Sequence, residues 1–195
     1  MTLLSLLAPL YVLQGIAASP SRSAADTESA QQVTMRFIDA MRANDWRAVS
    51  ALMHPAALRQ LREFFSALVE APNADLIRRE LLGVSSSAEA KALSDTALFE
   101  SLLRLTAKSP ELADAFRTAK VQILGQVNEG ADTAHVVYRM EITLEGTPVT
   151  TMDVFSLARS PAGWRGLLKG DMAAFAAAIR AAVQREQGPG TNRRP

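Results

Sequence analysis

From Tyr138 to Glu145 the chain alternates without a break: Tyr138, Met140, Ile142 and Leu144 are interleaved with Arg139, Glu141, Thr143 and Glu145. A period of two with one apolar row marks a strand that lies on a core on one side and in water on the other. Such a strand needs neighbours to pair with and a layer to cover its apolar face. The flanking runs supply the neighbours. Val121 to Val127, Val149 to Arg159 and Trp164 to Lys169 are rich in β-branched and aromatic residues, and they are separated by turns containing Gly130, Gly146 and Gly163. Runs of this length with this punctuation predict an antiparallel meander of four strands over residues 120–171.

Turn geometry sets the register. If Glu145 and Gly146 form the turn, Leu144 pairs with Thr147, Ile142 faces Val149, Met140 faces Thr151 and Tyr138 faces Asp153. Moving the turn to Gly146 and Thr147 slides the pairing by two and keeps the same faces. A slip of one would put Met152 and Val154 inside and Asp153 outside. The first parity is preferred because it also internalises Phe155 and Leu157. Continued through the last turn, it puts Trp164, Gly166 and Leu168 on the inner face. A four-residue first turn adds Val121, Ile123 and Val127.

Everything before the meander reads as helix. Residues 27–43 carry an apolar stripe of Val33, Phe37, Ile38 and Met41. Asp45 can cap a short helix over 46–53, which His54 before Pro55 ends. Further helices are predicted over 56–70, 74–82, 94–107 and 109–118, the last with Ser109 and Pro110 at its start. Residues 83–88, with three consecutive serines, read as the most flexible internal stretch. Beyond the sheet, 172–184 is an alanine-rich closing helix, and 188–195 is expected to be a disordered tail.

With 195 residues, 48% of them hydrophobic and 21% charged, the chain suits one α+β domain with a sizeable core. The formal net charge is +1, and Lys and Arg are scattered without a basic stripe, which argues against a nucleic-acid partner. There is no cysteine, so thiol chemistry and disulfides are excluded. Leu3 to Ile16 is an apolar run of leader length, followed by Ser23, Ala24 and Ala25. This predicts a signal peptide over 1–25, without a basic segment at its start, and a periplasmic or secreted mature chain beginning at Asp26. Otherwise the run is an N-terminal helix on a cytoplasmic domain. Neither reading gives a membrane anchor after processing.

The order of elements now has a counterpart. A long amphipathic helix, the step from Asn44, Asp45 and Trp46 to Leu52, Met53, His54 and Pro55, and a meander whose last strand opens on Gly163 and Trp164 together resemble the nuclear transport factor 2-like superfamily, the SnoaL and ketosteroid isomerase group. The resemblance implies N-terminal helices packed on a curved, cone-like sheet, a pocket inside, and often a dimer across the outer sheet face. It makes 26–187 a single domain, from which this chain departs by a helical insertion over 59–118.

Two residues are candidates for chemistry. Tyr138 and Asp153 are placed as neighbours on the inner face, where desolvation would raise a carboxyl pKa and a phenol could donate to it or to a substrate. The residues expected to line an apolar pocket are Phe37, Met41, Tyr138, Met140, Phe155, Trp164 and Leu168. His135 falls on the wet face. His54 falls at a helix end, where a cationic imidazole suits free carbonyls. With two histidines, no cysteine and no metal-ligand spacing, no metal is expected. Phosphate-binding glycine loops and a serine-hydrolase elbow are absent, so no cofactor is expected either.

The shortage of polar groups converging on the inner face favours a non-catalytic module that binds a small apolar ligand or serves as a scaffold. The rivals are a cofactor-free isomerase, dehydratase or cyclase using Asp153 and Tyr138, and a structural dimerisation module with a filled interior. Met152, Val154 and Leu167 point outward in the preferred register, and a homodimer through that face is the expectation.

Overall fold

The computed structural model describes residues 28–71, 74–144, 146–170, and 177, 178 and 181. The signal peptide, most of the closing helix and the tail expected from the sequence lie outside the described residues. Within them the chain is α+β: helices first, then an open four-stranded antiparallel sheet in the order β1-β2-β3-β4.

The strands are β1 (Lys120–Glu129), β2 (Thr133–Leu144), β3 (Thr147–Ser160) and β4 (Gly163–Gly166). Leu144 pairs with Thr147, Ile142 with Val149, Met140 with Thr151 and Tyr138 with Asp153, the register that the turn parity gives. Ala134, Val136, Tyr138, Phe155 and Leu157 are buried along the inner face.

One inward placement is corrected. Val127 is 61% exposed and pairs with His135 on the outer face. The cause is a β-bulge: Ile123 pairs with Tyr138 but Gly125 with Val137, so Leu124 is an extra residue. An extra residue reverses the facing of all that follow. Val121 and Ile123, before the bulge, pack against the core as expected.

Helix α1 (Ala30–Arg42) starts three residues later than expected, at a cap the chain encodes in full. Ser29 Oγ accepts from the Gln32 N–H at 3.2 Å, and Gln32 Oε1 accepts from the Ser29 N–H at 2.8 Å. Its stripe packs on β2 and β4, with Ala30 and Val33 buried and Phe37, Ile38 and Met41 partly buried against the core. Helix α2 (Trp46–Ala51) is capped by Asp45 and stops short of Met53. Leu52, Met53 and His54 instead leave the helix and dock along β4: Gly166 N–H donates to the Leu52 carbonyl and His54 N–H to the Gly166 carbonyl, both at 2.8 Å. The two stretches that carried the family resemblance are therefore bonded to each other.

Helices α3 (Pro55–Phe64) and α4 (Ser66–Glu70) replace the single helix expected over 56–70, with a break at the fully buried Phe65. Helix α5 (Asp75–Leu82) ends on Gly83 at φ 70°, a left-handed cap that suits glycine. The serine stretch read as flexible starts helix α6 (Ser87–Ala92), because Ser86 Oγ accepts from the Glu89 N–H and Glu89 from the Ser85 N–H. Helix α7 (Asp95–Arg104) packs against α2, α3 and α5, with Leu98 fully buried. After one 3-10 turn, α8 (Pro110–Thr118) packs on α1 and β2.

Polar ties hold the helices of the 59–118 segment together. Arg62 pairs with Asp95 and donates to the Leu93 carbonyl. Arg78 is fully buried and reaches Asp75 and the Ala71 carbonyl. No described helix is long and apolar enough to cross a membrane.

Candidate functional site

Strand pairing alone brings Tyr138 and Asp153 together, as directly opposed residues on β2 and β3. Tyr138 Oη donates to Asp153 Oδ2 at 3.2 Å. The same oxygen also takes a charged hydrogen bond from Lys169 Nζ, just beyond β4. The other carboxylate oxygen, Oδ1, accepts the N–H of Val154 at 2.7 Å. Three donors therefore converge on one carboxylate.

These contacts reverse the expected electrostatics of Asp153. Burial does push its pKa upward, but hydrogen bonds from Lys169 and Val154, the lysine charge and the Tyr138 hydroxyl together outweigh it. The net shift is downward because the site lies at the sheet margin, where 31% of the Asp153 side chain is exposed and Lys169 can reach it. Tyr138 moves the other way. Burial, then the negative charge of Asp153 and donation to it, hold the phenol protonated well above its usual range.

Both shifts are unfavourable for acid–base work near neutrality. A general base needs a free lone pair and a pKa near the working pH, and a general acid must release its proton. Here the carboxylate is held ionised by three donors, and the phenol is held as a donor. The arrangement can anchor β2, β3 and the segment after β4 to one another.

The other candidates are placed as follows. Phe37, Met41, Tyr138, Met140, Phe155, Trp164 and Leu168 all belong to, or pack against, the core cluster. The rings of Phe37 and Phe155 are in contact at 4.4 Å between centroids, tilted by 31°, so side chains fill the space between α1 and β3. The Trp164 ring carries the Arg159 guanidinium 4.5 Å from its centroid. His54 lies at the start of α3, and its Nδ1 accepts the Ala56 N–H at 3.1 Å. It acts as the N-cap there, facing N–H groups and not free carbonyls. His135 is on the outer face, between Ser156 Oγ at 2.9 Å and Glu129 Oε2 at 3.1 Å. Among the described residues no cluster of His, Cys, Asp or Glu could hold a metal ion.

Clefts lie around the sheet and α1. One of about 660 Å³ runs between α1 and β1, lined by Gln32, Met35, Arg36 and Ile123. A second, of about 380 Å³, opens where β4 ends, between Asp153, Val154, Ser156, Leu168 and Lys169. The outer face of the sheet exposes four apolar residues, Leu124, Val127, Met152 and Val154, set among His135, Arg139 and Glu141.

Sequence reasoning missed Lys169 because it counted that residue into the fourth strand, which ends at Gly166. It also missed the exposure of Val127, for which Gly125 inside a strand was the available sign. No family model matches the chain, and no curated protein matches it.

Proposed function

We propose that this chain is a non-catalytic scaffold module of the nuclear transport factor 2-like type, working after export as a homodimer through the outer face of its sheet. The observation that carries the non-catalytic half is Asp153, whose carboxylate is ionised and already bonded to Lys169, Val154 and Tyr138. A carboxylate so stabilised as the anion is a weak base, poorly matched to taking a substrate proton near neutrality. The contact of Phe37 with Phe155 supports a core function for the inner face. Leu124, Val127, Met152 and Val154 support the outer face as the working surface, since exposed apolar groups concentrated on one face mark interaction sites. Sedimentation of the wild-type chain and of Val154→Arg tests the reading. The wild type should run as a dimer and the variant as a monomer; a wild-type chain that stays monomeric at high concentration would overturn it.

The groove between α1 and β1 supports a second reading, a site for a small apolar ligand. Its volume of about 660 Å³ and the mixture of Met35 and Ile123 with Gln32 and Arg36 suit a small molecule with one polar end. Titration with a fluorescent apolar probe tests it: Met35→Glu should abolish binding, and unaltered binding would place the probe elsewhere.

A further inference from the structure

Among the described residues the sheet has an open edge. Strand β4 pairs only with Leu157 to Ser160 of β3, so the longer part of β3, from Thr147 to Ser156, has no β4 partner. The direction of its backbone groups follows from three hydrogen bonds. The Ser156 carbonyl accepts the Leu167 N–H on the β4 side, and the Val154 N–H also points away from β2, to Asp153 Oδ1. The Arg159 N–H points the other way, to the Asp132 carbonyl that precedes β2. Backbone polar groups alternate along an antiparallel strand. The even-numbered residues 148, 150, 152 and 154 therefore aim their N–H and carbonyl groups at the open edge. Among the described residues, no strand takes them.

Such an edge is a template for another strand. The segment suits that role: Thr147, Val149, Thr150, Thr151 and Val154 are all β-branched. The best-matched occupant is the same segment of a second copy, antiparallel and centred on Thr151. That register sets Thr150 against Met152 of the second copy twice over, each pair exchanging two hydrogen bonds. The next pair outward would be Pro148 with Val154. Pro148 has no N–H to give. The Val154 N–H, the donor that Pro148 could accept, is already held by Asp153.

We propose that the β3 edge is a docking surface for the β3 of a second copy, held shut by Asp153 and Lys169. Asp153 withholds the Val154 N–H. Lys169, bonded to Asp153 beside the cleft where β4 ends, places a cation in the path of an incoming strand. Pro148 removes the donor at the other end. The far edge of the sheet, β1, carries the bulge at Leu124, which breaks the regular spacing that strand addition needs. The proposal is independent of the dimer through the outer face, because edge pairing forms backbone hydrogen bonds and face packing does not.

The test is the pair of substitutions Pro148→Thr and Asp153→Ala in one chain, compared with wild type by sedimentation velocity and by amide hydrogen exchange. The doubly substituted chain should form a species larger than the wild-type one, at about tenfold lower concentration than the wild type needs. Exchange at Thr150, Met152 and Val154 should slow with association. If that chain does not fold, by circular dichroism, adding Tyr138→Phe removes the hydroxyl that Asp153→Ala strands, keeps the Val154 N–H free and tests the same edge. A folded variant that keeps the wild-type size overturns the proposal. So does one that associates without protecting the Thr150 and Met152 amides.

Discussion

Tyr138 Oη lies 3.2 Å from Asp153 Oδ2, across a strand pair in which the two residues are directly opposed. The phenol is buried and the carboxylate is half-buried, so the bond is worth more to Tyr138 than to Asp153. Removing the hydroxyl leaves Asp153 with Lys169 and the Val154 N–H. Tyr138→Phe should therefore cost about 0.5–1.5 kcal/mol, the net value of one hydrogen bond rather than that of an orphaned buried charge. Asp153→Leu alone should cost more, because it strands the hydroxyl. With both changes together the costs should fall short of their sum by about 0.5–1.5 kcal/mol in urea unfolding. Strict additivity would show that the two groups do not depend on each other.

The same pair gives stability two pH limbs. Asp153 is held below the ordinary aspartate value of 3.8, so its contribution is present above that value and is lost as pH falls through the lower folded pKa. Tyr138 is held above the ordinary tyrosine value of 10.0. Its contribution is present below pH 10.0 and declines as pH rises above it, where the unfolded phenol ionises before the folded one. In thermal melts across pH, Asp153→Asn should flatten the acid limb and Tyr138→Phe the alkaline limb. Limbs of unaltered steepness in both variants would assign the dependence to other groups.

How much of this was legible can be judged from particular residues. The β2–β3 register was readable because one short turn and a strict alternation leave only two parities, and Phe155 and Leu157 choose between them. Asp153 could be placed but not charged correctly, since Lys169 was counted into the fourth strand, which ends at Gly166. Helix α6 was missed because three serines look like a loop, although Ser86 followed by Glu89 three residues on was a legible start signal. The resemblance to a known family rested on two stretches whose contact through Gly166 no spacing rule could reveal.

Val127 is where pattern reading and folding part, and it makes a clean test of the bulge. Inward, a lysine there would bury a charge at a cost of several kcal/mol. Outward, beside His135, it meets water. Val127→Lys should change stability by no more than about 0.5 kcal/mol in urea unfolding, whereas Ile123→Lys, before the bulge, should cost several times as much. Equal costs at the two positions would contradict the bulge between them.

Gly166 is the junction on which helix layer and sheet depend. It pairs with Leu157 on β3 while its N–H and carbonyl bond to Leu52 and His54, so backbone approaches it from both sides. Its conformation does not demand glycine; the space does. A β-carbon built there would overlap Cζ of Phe155 and lie 3.1 Å from Sδ of Met53. The methionine can yield, being flexible. Phe155 is less free, because its ring is in contact with Phe37 and its side chain is buried. Gly166→Ala should thus displace the Phe155 ring, and with it α1, at the 1–3 kcal/mol typical of an overpacked core, about. Phe155→Leu in the same chain should recover part of that loss by vacating the ring position. Chemical denaturation of both single variants and the double variant decides the matter: costs that simply add would mean that Phe155 is not what the new methyl group strikes.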